Sequence, residues 1–389
     1  MDRIILHCDM DRFYCTVEEK HNPELRNVPF AVCGDPEMRH SIVMSANALA
    51  RERGVRAGLR FSDARRLCRN LQYVTADYDK YLVETKAARE IYQKYSDKII
   101  PYGLDENWII MDDNVSWREA KQIADVIRLE IMYSMNLSAS IGISDNLIFS
   151  KLGSDYQKPN GQTVITKKNY KKIVWPMDIQ KLLFVGDVRR NMLYGYNIKT
   201  IGDIARTNPK FLAKILSSRV GHDLWRFANG DDRNFRPECE KINSIGNTIT
   251  PPRDLKDIDE VAAIIYMLTT AVCIRLRKHK LRTRCVSINM KDSKFNSTVR
   301  QTTITTLTDN KSRIYDCALR LFKENYTWVN PLRSIGIRVT NLEDNSQLSL
   351  FCDYDNDNSD IVVDDRIKHF VTKFSALEVE SMGALGRWD

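Results

Sequence analysis

Ile4-Ile5-Leu6-His7-Cys8-Asp9-Met10-Asp11-Arg12-Phe13-Tyr14 is the stretch around which the rest of the chain is organised. A short apolar run, residues 4–6, leads into two carboxylates, Asp9 and Asp11. Two aromatics follow, and the pattern then turns helical through Tyr14, Val17 and Glu18. A strand that ends in acids before an aromatic turn and a helix places a carboxylate at the edge of a sheet. The competing reading is that Asp9 or Asp11 simply caps the following helix.

A second acidic pair shifts the balance. Tyr102-Gly103-Leu104-Asp105-Glu106-Asn107-Trp108-Ile109-Ile110-Met111 reads as a tight turn entering a strand. Neighbouring strand residues point to opposite faces, so Asp105 and Glu106 share a face only if a bend intervenes. Gly103 is placed to supply that bend. If the two strands are neighbours, Asp9 and Asp105 converge at one sheet edge, where hard oxygen ligands suit Mg2+.

With 389 residues the chain is expected to form more than one domain. Its 43% apolar content is ordinary for a globular protein, and no apolar run approaches a membrane span. The first residues lack a signal peptide's basic flank and apolar core, and the nine cysteines show no C-x-x-C spacing. These features point to reduced thiols, a cytoplasmic location and no membrane partner. The net charge of +8 is unevenly spread. Residues 241–340 carry 18 Lys and Arg against 8 Asp and Glu, while residues 341–389 carry 4 against 11. A strongly basic module is the footprint of a phosphate-backbone binder; the plainer reading is a solvated basic face.

In chain order, residues 29–33 and 41–45 read as strands. Residues 46–58 read as a short helix stopped by Gly54, and residues 62–68 as a second one capped by Ser62. Residues 78–94 are helical by period and 99–111 hold a strand pair. Residues 115–135 form a long amphipathic helix with Ala120, Ile123, Ile127 and Ile131 inward. Residues 137–144 alternate like a half-buried strand, 146–156 are helical, and 162–166 form a last strand. This order predicts an α/β layer with a ferredoxin-like core sheet. Residues 167–233 are mostly helical, with hints of a helix–hairpin–helix at residues 184–189 and 198–205, a turn that presents backbone N–H groups to a phosphate. A plain helical hairpin is the alternative. Beyond a linker at 234–244, a helix at 257–281, strands at 283–291 and 298–305, a helix at 311–324 and a strand at 332–340 form a small α/β module. There Arg282 and Arg284 share a strand parity with Val286 and Ile288, so the basic stripe is partial unless a bulge resets the register.

Several of these stretches together resemble the Y-family translesion DNA polymerases, specifically the DinB-like (polymerase IV) group. The likeness spans about residues 1–351. It is carried by Cys8-Asp9-Met10-Asp11 with Phe13-Tyr14, Ser45-Ala46-Asn47 with Ala50-Arg51, and Leu104-Asp105-Glu106. Ser140-Ile141-Gly142-Ile143-Ser144, Lys158-Pro159-Asn160-Gly161 and Thr200-Ile201-Gly202-Asp203-Ile204 complete it, in family order and spacing. The resemblance implies a multidomain α+β polymerase shaped like a right hand. Its ferredoxin-like palm would be 1–18 and 78–166, its small fingers 19–77, its helical thumb 167–233, and its C-terminal α/β little finger 245–341, with a tail at 342–389.

The resemblance also implies site residues. Asp9, Asp105 and Glu106, with the carbonyl of Met10, would hold two Mg2+ ions, Mn2+ being the alternative, for nucleotidyl transfer to a primer. Tyr14, beside Phe13, matches the family's steric gate against ribonucleotides. Ser45, Arg51 and Lys158 match contacts to the triphosphate of a dNTP. Arg282, Arg284, Lys291, Lys294, Arg333 and Arg338 are the implied contacts to primer–template DNA. Gln347-Leu348-Ser349-Leu350-Phe351 resembles the peptide that docks on a sliding clamp, with Gln347 as polar anchor and Leu348, Leu350 and Phe351 as apolar ones. The chain is expected to act as a monomer.

Departures from the family pattern bear on affinity and specificity. Ala48 stands where Tyr is usual, which removes a triphosphate hydrogen bond. Ile42 and Met44 are bulkier than the small residues often found over the nascent pair. Asn107 and Ile110 replace a small residue and an acid, and Phe184 replaces a first hairpin glycine. A catalytically weak scaffold that binds DNA and clamp is the main alternative, though such a protein would be expected to have lost its acids. A nucleotide cyclase, whose palm-like sheet also holds two metals, leaves the basic module unexplained.

Overall fold

The computed structural model describes residues 3–34, 41–237 and 242–344. It divides into two compact units, one ending near residue 238 and the other following it.

In the first unit, β1 (Ile5–Met10) leads into α1 (Phe13–His21). A small sheet follows from β2 (Phe30–Cys33), β3 (Val43–Ala46), the helices α2 (Ala48–Glu52) and α3 (Phe61–Leu67), and β4 (Gln72–Thr75). Its order is β3-β2-β4, with β4 parallel to β2. Asn47 caps α2, donating to the Val28 carbonyl while accepting from the Ala50 and Phe30 amides. Gly54, at φ +89°, ends that helical segment as its position predicts. Arg60, not Ser62, precedes the first turn of α3.

The chain continues through α4 (Tyr78–Gln93), β5 (Ile99–Tyr102), β6 (Glu106–Ile110), α5 (Trp117–Glu130), β7 (Ala139–Ser144), α6 (Leu147–Tyr156) and β8 (Gln162–Ile165). The sheet order β5-β6-β1-β7-β8 places β1 at the centre, antiparallel to both neighbours. Its first four strands have the ferredoxin-like arrangement expected from the element order. Residues 137–144 are not half-buried as their alternation suggests: every residue of β7 is buried. The reason is that both faces are covered. Ile141 and Ile143 join the core with α5, and on the other side α6 lies directly over Gly142. A Cβ at Gly142 would stand 1.8 Å from the Ser150 carbonyl oxygen and 2.4 Å from the Ser154 amide, both backbone atoms. Gly142→Ala must therefore lift α6 off the sheet. We expect a loss of at least about 3 kcal/mol of unfolding free energy by urea titration, whereas Gly186→Ala, with open space at its Cβ, should change little.

Helices α7 (Tyr170–Ile173), α8 (Asp187–Gly195), α9 (Ile201–Arg206), α10 (Pro209–Leu216) and α11 (Ser218–Ala228) close the first unit. A capping box at Thr200 and Asp203 starts α9. Phe184 has a left-handed backbone, at φ +67°, a conformation that glycine adopts without strain.

The second unit comprises β9 (Ser244–Ile249), α12 (Ile258–Lys278), β10 (Leu281–Asp292), β11 (Ser297–Thr308), α13 (Lys311–Asn325) and β12 (Leu332–Asp344), in the sheet order β11-β10-β12-β9. The expected linker at 234–244 thus overlaps the start of a strand. Val286, Ile288, Met290, Ile335, Ile337 and Val339 pack with α12 and α13 in one core, leaving the opposite sheet face open. Among the described residues no helix is long and apolar enough to cross a membrane.

Candidate active site

In β1 and β6 the register pairs Asp9 with Glu106, so their side chains leave the same face of the sheet. Asp105 lies just ahead of β6, in a turn opened by Gly103 at φ +84°. Its carbonyl accepts from the Met10 amide at 3.1 Å. The bend anticipated at Gly103 is present, and it frees Asp105 from strand alternation. Thr85 donates to the Leu104 carbonyl at 2.8 Å and Arg89 to that of Gly103 at 3.2 Å, so α4 holds the turn in place. Met10 offers only its backbone, because its side chain is in the core.

Burial dominates the electrostatics. Asp9 is 5% exposed, and desolvation pushes its carboxyl up to about 6 despite the opposing pull of Lys158. Burial likewise raises Asp105 above the usual range. Two cations, one on α6 and one in the turn that follows it, meet these acids. Lys158 donates to Asp9 at 2.6 Å and pairs with Asp155 at 2.9 Å, and Lys151 donates to Glu106. Among the described residues no three His, Cys, Asp or Glu side chains stand together as a ready metal cage. Asp9 is turned onto Lys158 and Glu106 onto Lys151.

Sequence reasoning missed Lys151 and His7. Lys151, Asp155 and Lys158 are spaced by four and three, one face of a helix and its exit, and that spacing was the available signal. His7 is fully buried, and burial holds its imidazole well below the usual range, hence neutral. His7 Nδ1 is hydrogen-bonded to the Ser154 hydroxyl at 2.8 Å, and the same hydroxyl lies 2.8 Å from the Lys151 carbonyl. His7 Nε2 faces the Glu106 carboxylate at 3.2 Å.

Neither Asp9 nor Asp11 caps α1. Arg12 occupies the cap position in a left-handed conformation with no side-chain cap bond. Asp11, 2% exposed, instead accepts from the Ser140 hydroxyl and the Asn160 amide, each at 2.8 Å. Ser140 in turn accepts from the Gly161 amide at 3.2 Å. Asp11 therefore fastens the turn that presents Lys158 to Asp9.

The remaining first-unit candidates divide. Tyr14 is half-buried, its ring edge-on to Tyr81 at 5.0 Å, and its hydroxyl is pushed up by burial and then by the Asp105 charge. Phe13 is 1% exposed and its ring packs in the core, so the ring itself is not open to a nucleotide. Ser45 is buried on β3. Arg51 projects from α2, its Nε donating to the Ala46 carbonyl at 2.9 Å, and among the described residues no carboxylate pairs with it. Met44 accepts from the Tyr78 hydroxyl at 3.7 Å, while Ile42 is 49% exposed.

The second unit resolves the register question. A shift between Thr283 and Cys285 takes Arg284 out of the alternation, and Val286 and Ile288 then face the core. Arg282 and Arg284 are not free cations. Arg282 stands 3.5 Å from Asp309, which Arg277 also approaches, and Arg284 bonds Glu343 at 3.1 Å. Arg338 is exposed on the open face, between Ser287 and Gly246 on the flanking strands. Lys294 is exposed and Lys291 half-buried, and Arg333 lies over the Phe295 ring. Gln347, Leu348, Leu350 and Phe351 lie outside the described residues.

The ionised Asp9 should carry a measurable cost. Its folded-state pKa is raised from 3.8 to about 6, so the favourable protonated state is fully present below pH 3.8 and lost as pH rises through 6. This amounts to about 3 kcal/mol. In EDTA, Asp9→Asn should flatten the stability profile between pH 4 and 7 and be more stable than the parent at pH 7. Parallel profiles for the two proteins in urea denaturation would refute the assigned burial cost.

Comparisons with known proteins agree with this architecture. Residues 8–155 match the model of the impB/mucB/samB family, and residues 242–350 match that family's C-terminal domain. A DNA polymerase IV from Acetivibrio thermocellus is 38% identical over 360 residues, covering 91% of this chain and 90% of the relative. One from Clostridium kluyveri is 32% identical over 377 residues, covering 95% and 94%. Among solved structures, a Y-family DNA polymerase chimera superposes with a TM-score of 0.77 at 21% identity, over 88% of this chain and all of that one. An insertion ternary complex of Dbh DNA polymerase superposes at 0.61 and 21% over the same shares. The fold is thus the α+β architecture of a Y-family polymerase with a C-terminal little-finger module. The chain belongs to the impB/mucB/samB family, and its relatives in that family are the DNA polymerases IV.

Proposed function

We propose that the protein is a template-directed DNA polymerase of low fidelity that extends primers past damaged template. The observation that carries this reading is the register of β1 against β6, which sets Asp9 opposite Glu106 with Asp105 in the adjoining turn. The donor set suits a hard divalent cation: three carboxylates and the Met10 carbonyl, with Asp9 buried and Asp105 half-buried, so that a cation would relieve their desolvation. Mg2+ is the first choice and Mn2+ the second. When bound, two such ions supply activation of the primer 3′-hydroxyl and neutralise charge on the triphosphate and departing pyrophosphate.

The chain's own residues do the rest. Lys158, mounted on the Asp11-fastened turn, and Arg51 offer a point charge and a planar fork to phosphate oxygens, and Ser45 would add a hydroxyl. Tyr14, fixed by Tyr81, presents an aromatic edge where the sugar would lie. On this reading the palm would be 1–18 and 78–166, the fingers 19–77, the thumb 167–233 and the little finger 245–341. Its Arg338, Lys291 and Lys294 would meet phosphates without regard to sequence. Arg282 and Arg284 serve this purpose less well, because each is engaged with a carboxylate. Residues 347–351 would dock on a sliding clamp, and the protein would work in the cytoplasm as a monomer. A primed template with dNTPs and Mg2+, resolved on a denaturing gel, tests the reading. Template-dependent extension supports it, and its absence under saturating DNA would leave a DNA-binding scaffold.

A further inference from the structure

The hairpin joining β10 and β11 exposes a bulky aromatic in a conformation that side chains rarely adopt. Phe295 stands at the tip with φ +69°, and its side chain is left 62% exposed. A residue set this way for packing would be buried, and Phe295 is not. The Arg333 guanidinium lies 4.5 Å from its ring centroid. Lys294 precedes it in the turn, exposed, and Lys291 stands at the neck of the hairpin. Val299 is 57% exposed on β11.

The turn is tied by hydrogen bonds despite its exposure. Asp292, 9% exposed, accepts from the Lys294 and Asn296 amides and from the Asn296 and Asn330 side chains, at 2.8 to 2.9 Å. Its carboxylate is thereby turned inward and filled. The adjoining loop is fixed by Tyr326, whose hydroxyl donates to the Asn330 carbonyl at 2.8 Å, and by stacking of Tyr326 on Phe322. A preorganised exposed ring, backed by a guanidinium and flanked by lysines with no free carboxylate at the turn, has the chemistry that holds an unpaired base next to its phosphates.

We infer that this tip is a stacking platform for an unpaired nucleobase of single-stranded DNA, separate from the open sheet face. The inference rests on DNA being the protein's substrate, and its test is separable from that reading. The probes are fluorescein-labelled oligo(dT) of twelve nucleotides and a blunt duplex of equal length, titrated by anisotropy against the full chain. Phe295→Gly removes the ring while suiting the positive φ, so the backbone is retained. It should bind the single strand about tenfold more weakly, the factor expected from one stacked base, with duplex affinity unchanged. Phe295→Trp should bind at least as well as the parent. Lys294→Ala should lower the slope of log affinity against log salt by about 0.7 for the single strand. Primer extension at saturating DNA should be unaffected by Phe295→Gly. Undiminished single-strand binding by Phe295→Gly, with an unaltered melting temperature, would overturn the proposal and leave the patch to a protein partner. Equal losses for single strand and duplex would also overturn it. An inactive parent whose single-strand binding still depends on Phe295 would sustain the platform and remove the polymerase reading instead.

Discussion

Asp105→Asn is expected to reduce primer extension by about a thousandfold or more, the effect of several kcal/mol lost at a metal-holding carboxylate, while primer–template binding stays within about twofold. The asymmetry follows from where the side chain sits. Asp105 lies in a turn whose geometry is set by bonds to its backbone carbonyls: its own accepts from the Met10 amide, and those of Leu104 and Gly103 accept from the Thr85 and Arg89 side chains. An amide side chain leaves all of these intact, and burial even favours the neutral group. The protein should therefore fold at least as well, bind DNA through its second unit, and fail only where a negative charge is required. Single-turnover extension with excess enzyme separates the two effects. Near-parental extension would remove Asp105 from the site, and a parallel loss of DNA affinity would mean that the substitution had damaged the fold.

Tyr14→Ala is expected to raise ribonucleotide insertion relative to deoxyribonucleotide by about a hundredfold, equivalent to relieving roughly 3 kcal/mol of steric clash. Tyr14 is held on one side by Phe13 at 5.4 Å and on another by Tyr81 at 5.0 Å. Tyr81 is itself anchored by its 2.7 Å bond to Glu18, which Lys80 also meets. A ring fixed this way cannot yield to a 2′-hydroxyl. Tyr14→Phe keeps the edge and should retain discrimination, so loss in both variants would implicate the hydroxyl instead. Competition between matched ribo- and deoxynucleotides on one template gives the ratio directly. An unchanged ratio in Tyr14→Ala would take the sugar gate away from this residue.

What the sequence disclosed and what it concealed divide along a physical line. The acids were legible because a carboxylate at the end of an apolar run, or a pair of them after a glycine, has few structural uses. The roles of Asp11 and Lys151 were hidden because they depend on partners 129 and 45 residues away. Asp11 looked like a cap from its position next to a helix, and became a clamp only once β7 and the turn at 160 lay beside it. In β7, alternation of Ser and Ile suggested one wet face, yet Gly142 allows α6 to lie against that face. β9 was overlooked because Ser244-Ile245-Gly246-Asn247-Thr248 has loop composition; its strand character comes from pairing with β12, where Gly246 sits against Arg338. The short edge strand β4 was concealed similarly, with Tyr73 50% exposed. Charge counting marks residues 241–340 as basic but could not tell a cation paired with Glu343 from one facing solvent.

The account stands or falls on the three acids jointly holding divalent cations, and counting those cations tests it most directly. Mn2+ can be titrated by electron paramagnetic resonance into the full chain bound to a dideoxy-terminated primer–template and the next correct dNTP. The account predicts two specifically bound ions for the parent, with at least one lost in each of Asp9→Asn, Asp105→Asn and Glu106→Gln. A parental count that survives all three substitutions would contradict it.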